Sequence, residues 1–435
     1  MSNRAAIMEQ AGVGSQFLWG TATSAHQVEG NNRANDWWDW EQQGKLKEPS
    51  GVACDHYRLF REDIGLISSL GQNAHRFSLE WSRFEPEENH WNDEAFRHYE
   101  EVFQELSRRR IEPVVTLHHF TNPRWFSEKG GWLEPSCVDA FNRYVERVVR
   151  AYGKYVRFWI TINEPLIYVY YSFYAGLWPP GRRCYKDSLK VIRFLVKAHK
   201  HAYRIIHDYY ETVLKKPVWV SFANYMVYFS PCRSHSLFDR WTAAWTSRFV
   251  NEIFIEAAIG SFLFYPGIFC EYLFQPRALD YLAVNYYSQD FIRFRGLFAK
   301  PSMGEICSKD HHPEKIGERN ALGWNIYPEG LRDLIQRLRR FRLPIMVSEN
   351  GICTPDDEQR ARFIRDHVDV LGCLRKDGVP IFGYFYWSLL DNFEWAHGFG
   401  PRFGIVEVDY RSQERRPRPS SQVLAESCRK LICTE

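Results

Sequence analysis

The sequence predicts a single-domain α/β fold, a (β/α)8 or TIM barrel. Three observations carry this. Eight short, β-prone apolar runs recur along 435 residues. Helical patterns lie between them, and no Gly/Ser/Pro-rich linker divides the chain. The expected barrel domain runs from residue 17 to 435, with residues 1–16 as an N-terminal extension.

The eight strand runs are Phe17–Thr21, Ala74–Leu79, Pro113–Leu117, Phe158–Ile162, Val218–Ala223, Tyr281–Asn285, Ile345–Ser348 and Phe382–Trp387. Nearly all are short and apolar on both faces, as parallel strands covered by helices must be. Amphipathic helical patterns occupy Tyr57–Leu70, Tyr99–Arg109, Val138–Tyr152, Leu189–Tyr209, Leu331–Arg340 and Arg360–Arg375. Ser136 and the Thr354-Pro355-Asp356-Asp357 run supply start signals, and Gly71 and Gly378 supply stops. A doubly wound sheet is the alternative architecture, but no Gly-x-Gly-x-x-Gly turn follows the first strand. The longest connection, Gln289 to Ile326, is polar and reads as a loop over the active face or its flank.

Composition narrows the function classes. Hydrophobic residues make up 45% and charged residues 25%, which suits a large globular core. The formal charge of +3 is spread over both signs, so nucleic acid is not an expected partner. The basic run Arg415-Arg416-Pro417-Arg418 reads as a solvated loop. No uninterrupted apolar stretch of about 18 residues exists, so no membrane span is expected. Residues 1–16 lack the pattern of a secretory signal, and ten scattered Cys without Cys-x-x-Cys pairs read as buried reduced thiols of a cytoplasmic protein. Oligomeric state stays open. The 16 Trp, 24 Tyr and 31 Phe are a high aromatic content. Such residues are often just core, but an excess of Trp near polar motifs also fits a site that stacks on the apolar C–H faces of sugars.

Functional residues of such a barrel sit at the C-terminal ends of its strands. Polar or aromatic groups occur there on nearly every strand. They include Gln27, Arg76, His119, Asn163-Glu164, Asn224, Asn285-Tyr286-Tyr287, Glu349-Asn350, Trp387 and Asp391 to Trp395. Two carboxylates just past buried strands, Glu164 and Glu349, make a candidate acid–base or acid–nucleophile pair. Each could instead be a buried glutamate in a structural salt bridge. The His118-His119 doublet lacks a third ligand at suitable spacing, so neither metal nor cofactor is expected.

At these positions the chain resembles glycoside hydrolase family 1, the retaining β-glycosidases. The resemblance rests on Phe17 to Gly30, His75-Arg76-Phe77-Ser78, Leu117-His118-His119-Phe120, Thr161 to Pro165, Asn285-Tyr286-Tyr287, Ser348 to Gly351 and Trp387 to Trp395. It implies Glu164 as acid/base and Glu349 as nucleophile, with Arg76, Tyr287 and Asn285 supporting them. It assigns Gln27, His119, Asn163, Glu394 and Trp395 to sugar hydroxyls and Trp387 to a stacking floor. Phe120, Asn224, Trp324 and Phe403 complete the expected substrate-binding set. Trp159 and Trp324 are expected to wall Glu164. Glu394 disfavours phosphorylated sugars, because a carboxylate repels phosphate. Phe120 stands where many members carry Trp, which implies tolerance of gluco- and galacto-configured substrates and side activity on β-galactosides or β-fucosides. The expected partner is a small β-glycoside or oligosaccharide. A catalytically silent, glycan- or protein-binding barrel is the alternative, though such relatives usually lack one of the two glutamates.

Overall fold

Parallel strands apolar on both faces need helices outside them and a filled interior. The computed structural model describes residues 16–260, 262–265, 269–272, 277–296, 304–307 and 317–433. The proposed N-terminal extension thus lies almost wholly outside the described residues.

Eight parallel strands close into a barrel: β1 Leu18–Ala22, β2 Ala74–Ser78, β3 Glu112–His118, β4 Phe158–Asn163, β5 Trp219–Pro231, β6 Leu282–Phe294, β7 Ile345–Asn350 and β8 Ile381–Trp387. Each pairs with the next, and β8 returns to β1 in the register Leu18 to Gly383 through Ala22 to Trp387. A helix follows every strand: α1 His56–Ser69, α2 Asp93–Arg108, α3 Cys137–Tyr152, α4 Tyr185–Tyr209, α5 Leu237–Ile259, α6 Pro328–Leu338, α7 Asp357–Lys376 and α8 Ser420–Cys433. Six match the amphipathic patterns of the sequence. The pattern of α5 is hidden because its apolar residues are not confined to one stripe: Phe249, Ile253, Phe254, Ile255, Ala257 and Ala258 are all buried.

Strand alternation sorts the core into two clusters. Leu18, Val114, Phe158, Ile160, Trp219, Ala223 and Met346 belong to a cluster that fills the barrel. Val115, Trp159, Val220, Val284 and Val347 join the larger cluster with the helices. Trp159 is fully buried there and donates its indole N–H to the Tyr210 hydroxyl at 3.0 Å. It therefore does not wall Glu164, contrary to expectation. Of the eight described cysteines, none in a disulfide, six are buried packing residues.

Two further segments depart from expectation. β5 and β6 run past the barrel rim as a paired ribbon to Pro231 and Ile292, because Tyr225 to Phe229 are β-prone and apolar enough to be covered. Gly304–Ile306 adds to this ribbon antiparallel to β6. The start of the long connection is therefore sheet rather than loop. Arg415-Arg416-Pro417 is no solvated loop either, since it pairs antiparallel with Val406–Val408. Arg415 is buried against Asp63, with Nε 2.8 Å from Oδ1, and Arg418 holds Asp391 at 2.7 Å. A buried carboxylate needs such a partner, which is why these cations turn inward.

Candidate active site

The Asn-Glu-Pro motif forms the strand-to-helix corner at the end of β4. Pro165 opens the short helix Pro165–Val169, where a missing N–H costs nothing. Glu164 takes a left-handed backbone, φ +43°, and anchors its N–H on the Ala223 carbonyl at 2.8 Å. Phe120 and Trp395 also have positive φ, +72° and +51°. Non-glycine residues in this region cost of order 1–3 kcal/mol each and cluster at functional sites. In Glu-Asn-Gly, the glycine is needed because a Cβ on Gly351 would lie 1.8 Å from the Trp387 carbonyl oxygen.

A cavity of about 580 Å³ opens at the C-terminal end of the barrel. Gln27, His119, Phe120, Asn163, Glu164, Tyr287, Trp324, Glu349, Trp387, Glu394, Trp395 and Phe403 all line it. Arg76 and Asn285 lie directly behind, bonded to the lining carboxylates. Asn224 does not join them. Ala223 faces the barrel interior, so the next residue points to the helices. Its amide donates to the Asn251 carbonyl at 2.6 Å, and it lines a neighbouring cavity.

The two glutamates have different partners. Glu349 accepts from the Arg76 guanidinium on one oxygen and from the Tyr287 hydroxyl at 2.6 Å on the other. Among the described residues Glu164 has no salt bridge and accepts one neutral hydrogen bond, from the Asn285 amide at 2.7 Å. Burial, then the nearby negative charge of Glu349, push the Glu164 pKa well above the ordinary carboxylate range. Tyr171 and Tyr225 stand in the wall beside it. A continuous network ties the pair together. Arg76 Nη2 donates to Asn163 Oδ1 at 2.7 Å, and Asn285 Nδ2 donates to the same oxygen at 3.2 Å. Ser348 Oγ fixes Asn285 through its Oδ1 at 2.7 Å.

Around the carboxylates stands a set of polar and aromatic groups. Gln27 donates to the Phe393 carbonyl at 2.8 Å and to Glu394 Oε2 at 3.2 Å. Burial and the charge of Glu349 raise the Glu394 pKa to about 8. His119 lies nearly parallel to Trp387 and Trp395, with centroids 6.0 and 6.1 Å away. Burial and the Arg76 cation keep His119 neutral. Its Nε2 meets the Asn163 amide at 3.2 Å, while its Nδ1 has no partner among the described residues. Phe120 packs edge-on against Trp395 at 5.3 Å and tilts against Trp178 at 4.9 Å. The neighbouring His118 faces Asn122, Trp132 and Phe141 instead. Among the described residues no group of three metal-ligating side chains occurs.

Sequence reasoning missed Tyr171, Trp178, Leu177, Leu322, Tyr225 and the Lys45–Lys47 edge of this cavity. Tyr225 was legible, since it lies two residues after the inward-facing Ala223. Trp178 and Tyr171 stack at 4.6 Å, Tyr171 from the short helical turn Tyr170–Tyr174 and Trp178 from the turn that follows, too short a stretch to show a period.

The sequence profile of glycosyl hydrolase family 1 matches residues 10–430. The chain belongs to glycosyl hydrolase family 1. Members of this family are O-glycosyl hydrolases. The chain is 40% identical to a β-glycosidase from Pyrococcus horikoshii, whose structure superposes with a TM-score of 0.87 over 96% of this chain and 95% of that one. It is 30% identical to β-glucosidase A from Thermotoga maritima over 433 residues, 92% of this chain and 94% of that protein. A Thermotoga maritima β-glucosidase structure in complex with glucoimidazole is 29% identical and superposes with a TM-score of 0.87, covering 96% and 99% of the two chains. The family 1 fold places each matched motif at a strand end. No helix among the described residues is long and apolar enough to cross a membrane.

Proposed function

We propose that this family 1 enzyme is a retaining exo-β-glycosidase that acts on non-phosphorylated β-glucosides, with Glu349 as nucleophile and Glu164 as acid/base. One observation carries the reading: two carboxylates line one buried cavity in opposite environments. Glu349 faces a guanidinium and a phenol, both of which favour an ionised nucleophile. Burial and the charge of Glu349 push the Glu164 pKa well above the ordinary carboxylate range, the direction a general acid needs.

The reaction runs in two displacements. Glu349 attacks the anomeric carbon as Glu164 protonates the departing oxygen. Esterifying Glu349 removes its negative charge, which together with burial and the charge of Glu394 raises the Glu164 pKa. Glu164 thereby becomes a stronger acid and gives a base able to take a proton from water. Water then displaces Glu349 from the face the leaving group vacated, and the β-anomer is regenerated. Asn163 stands where it can meet the sugar 2-hydroxyl. The unpartnered His119 Nδ1, Gln27 and Glu394 are placed for the remaining hydroxyls, over the Trp387 ring. The charged neighbour that shifts Glu394 is another carboxylate, Glu349, and two carboxylates would repel a sugar phosphate, which supports a non-phosphorylated substrate.

Proton NMR of early product from an aryl β-glucoside tests the mechanism. β-Glucose first supports double displacement, whereas α-glucose first rejects it, and no release across several glycones favours a binding protein. Phe120 lacks a hydrogen-bond donor. Comparable kcat/KM on aryl β-glucoside, β-galactoside and β-fucoside is therefore expected; a preference above ~10³-fold would sink that part.

A further inference from the structure

A second cavity, of about 570 Å³, adjoins the catalytic one. It lies between the β5–β6 ribbon, α4, α5 and the segment after β4, and its wall is mostly apolar: Leu189, Ile192, Phe229, Phe249, Val250 and Ile292. Ile167, Tyr171 and Tyr225 line both cavities and form the partition. The same two tyrosines lie close enough to sense Glu164 on one side and Asp290 on the other. Its volume falls in the usual range of small-molecule pockets.

The position of this cavity relative to the chemistry gives it meaning. A general acid protonates the leaving-group oxygen, so the aglycone departs on the side of Glu164. Ile167 and Tyr171 follow Glu164 by three and seven residues in the same segment. Tyr171 and Tyr225 lie within electrostatic reach of Glu164, so the partition stands on the side from which the aglycone leaves. The outer end is apolar as well. Tyr170 and Ile306 line the cavity while 44% and 60% exposed. Beside them Leu237, Phe238 and Trp241, at the start of α5, are 75%, 62% and 46% exposed. Ring stacking of Phe238 on Phe294 at 5.1 Å ties that patch to the ribbon. Phe294 pairs with Gly304, two residues from Ile306, so Phe238 and Ile306 sit on one end of the ribbon rather than as scattered single residues.

We propose that this cavity takes the apolar chain of an amphiphilic β-glycoside, so that the substrate class is a sugar carrying a long alkyl-type tail. The inference rests on the glycosidase reading above and extends it to the aglycone. The sugar sits among Gln27, Glu394 and Trp387, the glycosidic oxygen at Glu164, and the chain crosses Ile167 and Tyr171 into the cavity. Burying each methylene there is worth up to about fourfold in binding.

A homologous series of n-alkyl β-glucosides, methyl to decyl and below micellar concentration, tests it. In parallel, calorimetric binding of n-alkyl 1-thio-β-glucosides reads affinity without turnover. The expected result is a rise in kcat/KM and affinity of roughly two- to fourfold per methylene, levelling off when the cavity is full. Ile192→Lys, which charges the wall, and Val250→Trp, which fills it, should flatten both series. Each should leave kcat/KM on methyl β-glucoside unchanged, which also shows that the variant is folded. A flat series in wild type overturns the proposal. So does a steep series that both variants leave intact, because the chain then runs along the Leu177–Trp324 rim. Failure of the glycosidase reading looks different: no glucoside turns over at any chain length, while the thioglucoside series still reports on the cavity.

Discussion

Two cavities of nearly equal size, about 580 and about 570 Å³, share a partition of Ile167, Tyr171 and Tyr225 but treat polar groups in opposite ways. The first gathers Glu164, Glu349, Glu394, Asn163 and His119 at the ends of barrel strands. There each carboxylate is held by a named donor, and burial plus the charge of Glu349 raise the pKa of Glu164 and Glu394. The second is walled mostly by aliphatic and aromatic side chains of the ribbon and two helices, with Asp290 and Glu305 also in its lining. Its one committed amide, Asn224, turns away to a backbone carbonyl. The difference shows that volume does not make a catalytic site. Strand ends do, because they present side chains on rigid backbone, whereas helix flanks present packing surface.

The strongest way to break this comparison is to remove the nucleophile. Glu349→Ala is expected to lower kcat by about 10⁴-fold or more on every glycoside, measured by nitrophenol release. Residual turnover near wild type would show that the first cavity is not the reactive one. Glu164→Ala comes next. It should cost about 10²–10⁴-fold on alkyl glycosides, which need protonation, and far less on dinitrophenyl glycosides, which do not. The alkaline limb of kcat/KM should vanish with it. Equal losses for both leaving groups would contradict the acid role.

Stability against pH sharpens the contrast further. The folded pKa of Glu394, about 8, lies above its ordinary 4.5. Below pH 4.5 both folded and unfolded chains hold the proton, and its contribution to stability is complete. Between 4.5 and 8 only the folded chain keeps it, so stability falls as pH rises, and above 8 the curve is flat. The fall is on the order of a few kcal/mol. Glu164, shifted in the same direction, adds to it. Urea denaturation across this window should show a decline that Glu394→Gln reduces. An unchanged slope in the variant would place the proton elsewhere. The smallest effect belongs to the second cavity. Asn224→Ala should lower stability by about 1 kcal/mol, through loss of its bond to Asn251, and leave kcat/KM on methyl β-glucoside within about twofold. A tenfold loss of activity would return Asn224 to the catalytic site.

Much of the site was legible because its residues sit in short motifs at strand ends. Asn163-Glu164-Pro165 encodes a strand, a strained corner and a helix start, and Glu349-Asn350-Gly351 encodes a strand meeting the Trp387 backbone. Trp159 was misplaced for a reason the motif hides. Alternation along β4 puts it on the outer face beside Ile160, which faces in. The Arg415 run misled in the same way, because its partners Asp63 and Asp391 lie hundreds or tens of residues away.

Local sequence determined the eight strands, most of the helices between them and the two glutamate corners, since each depends on neighbours within one or two turns. Which glutamate has its pKa raised, and where the apolar cavity lies, was decided only by tertiary structure. Protonation depends on burial and on charges brought together from separate strands, such as Arg76 beside Glu349 and Asn285 beside Glu164. The apolar cavity exists only because β5 and β6 outrun the barrel and meet α4 and α5. No short stretch of sequence carries that meeting.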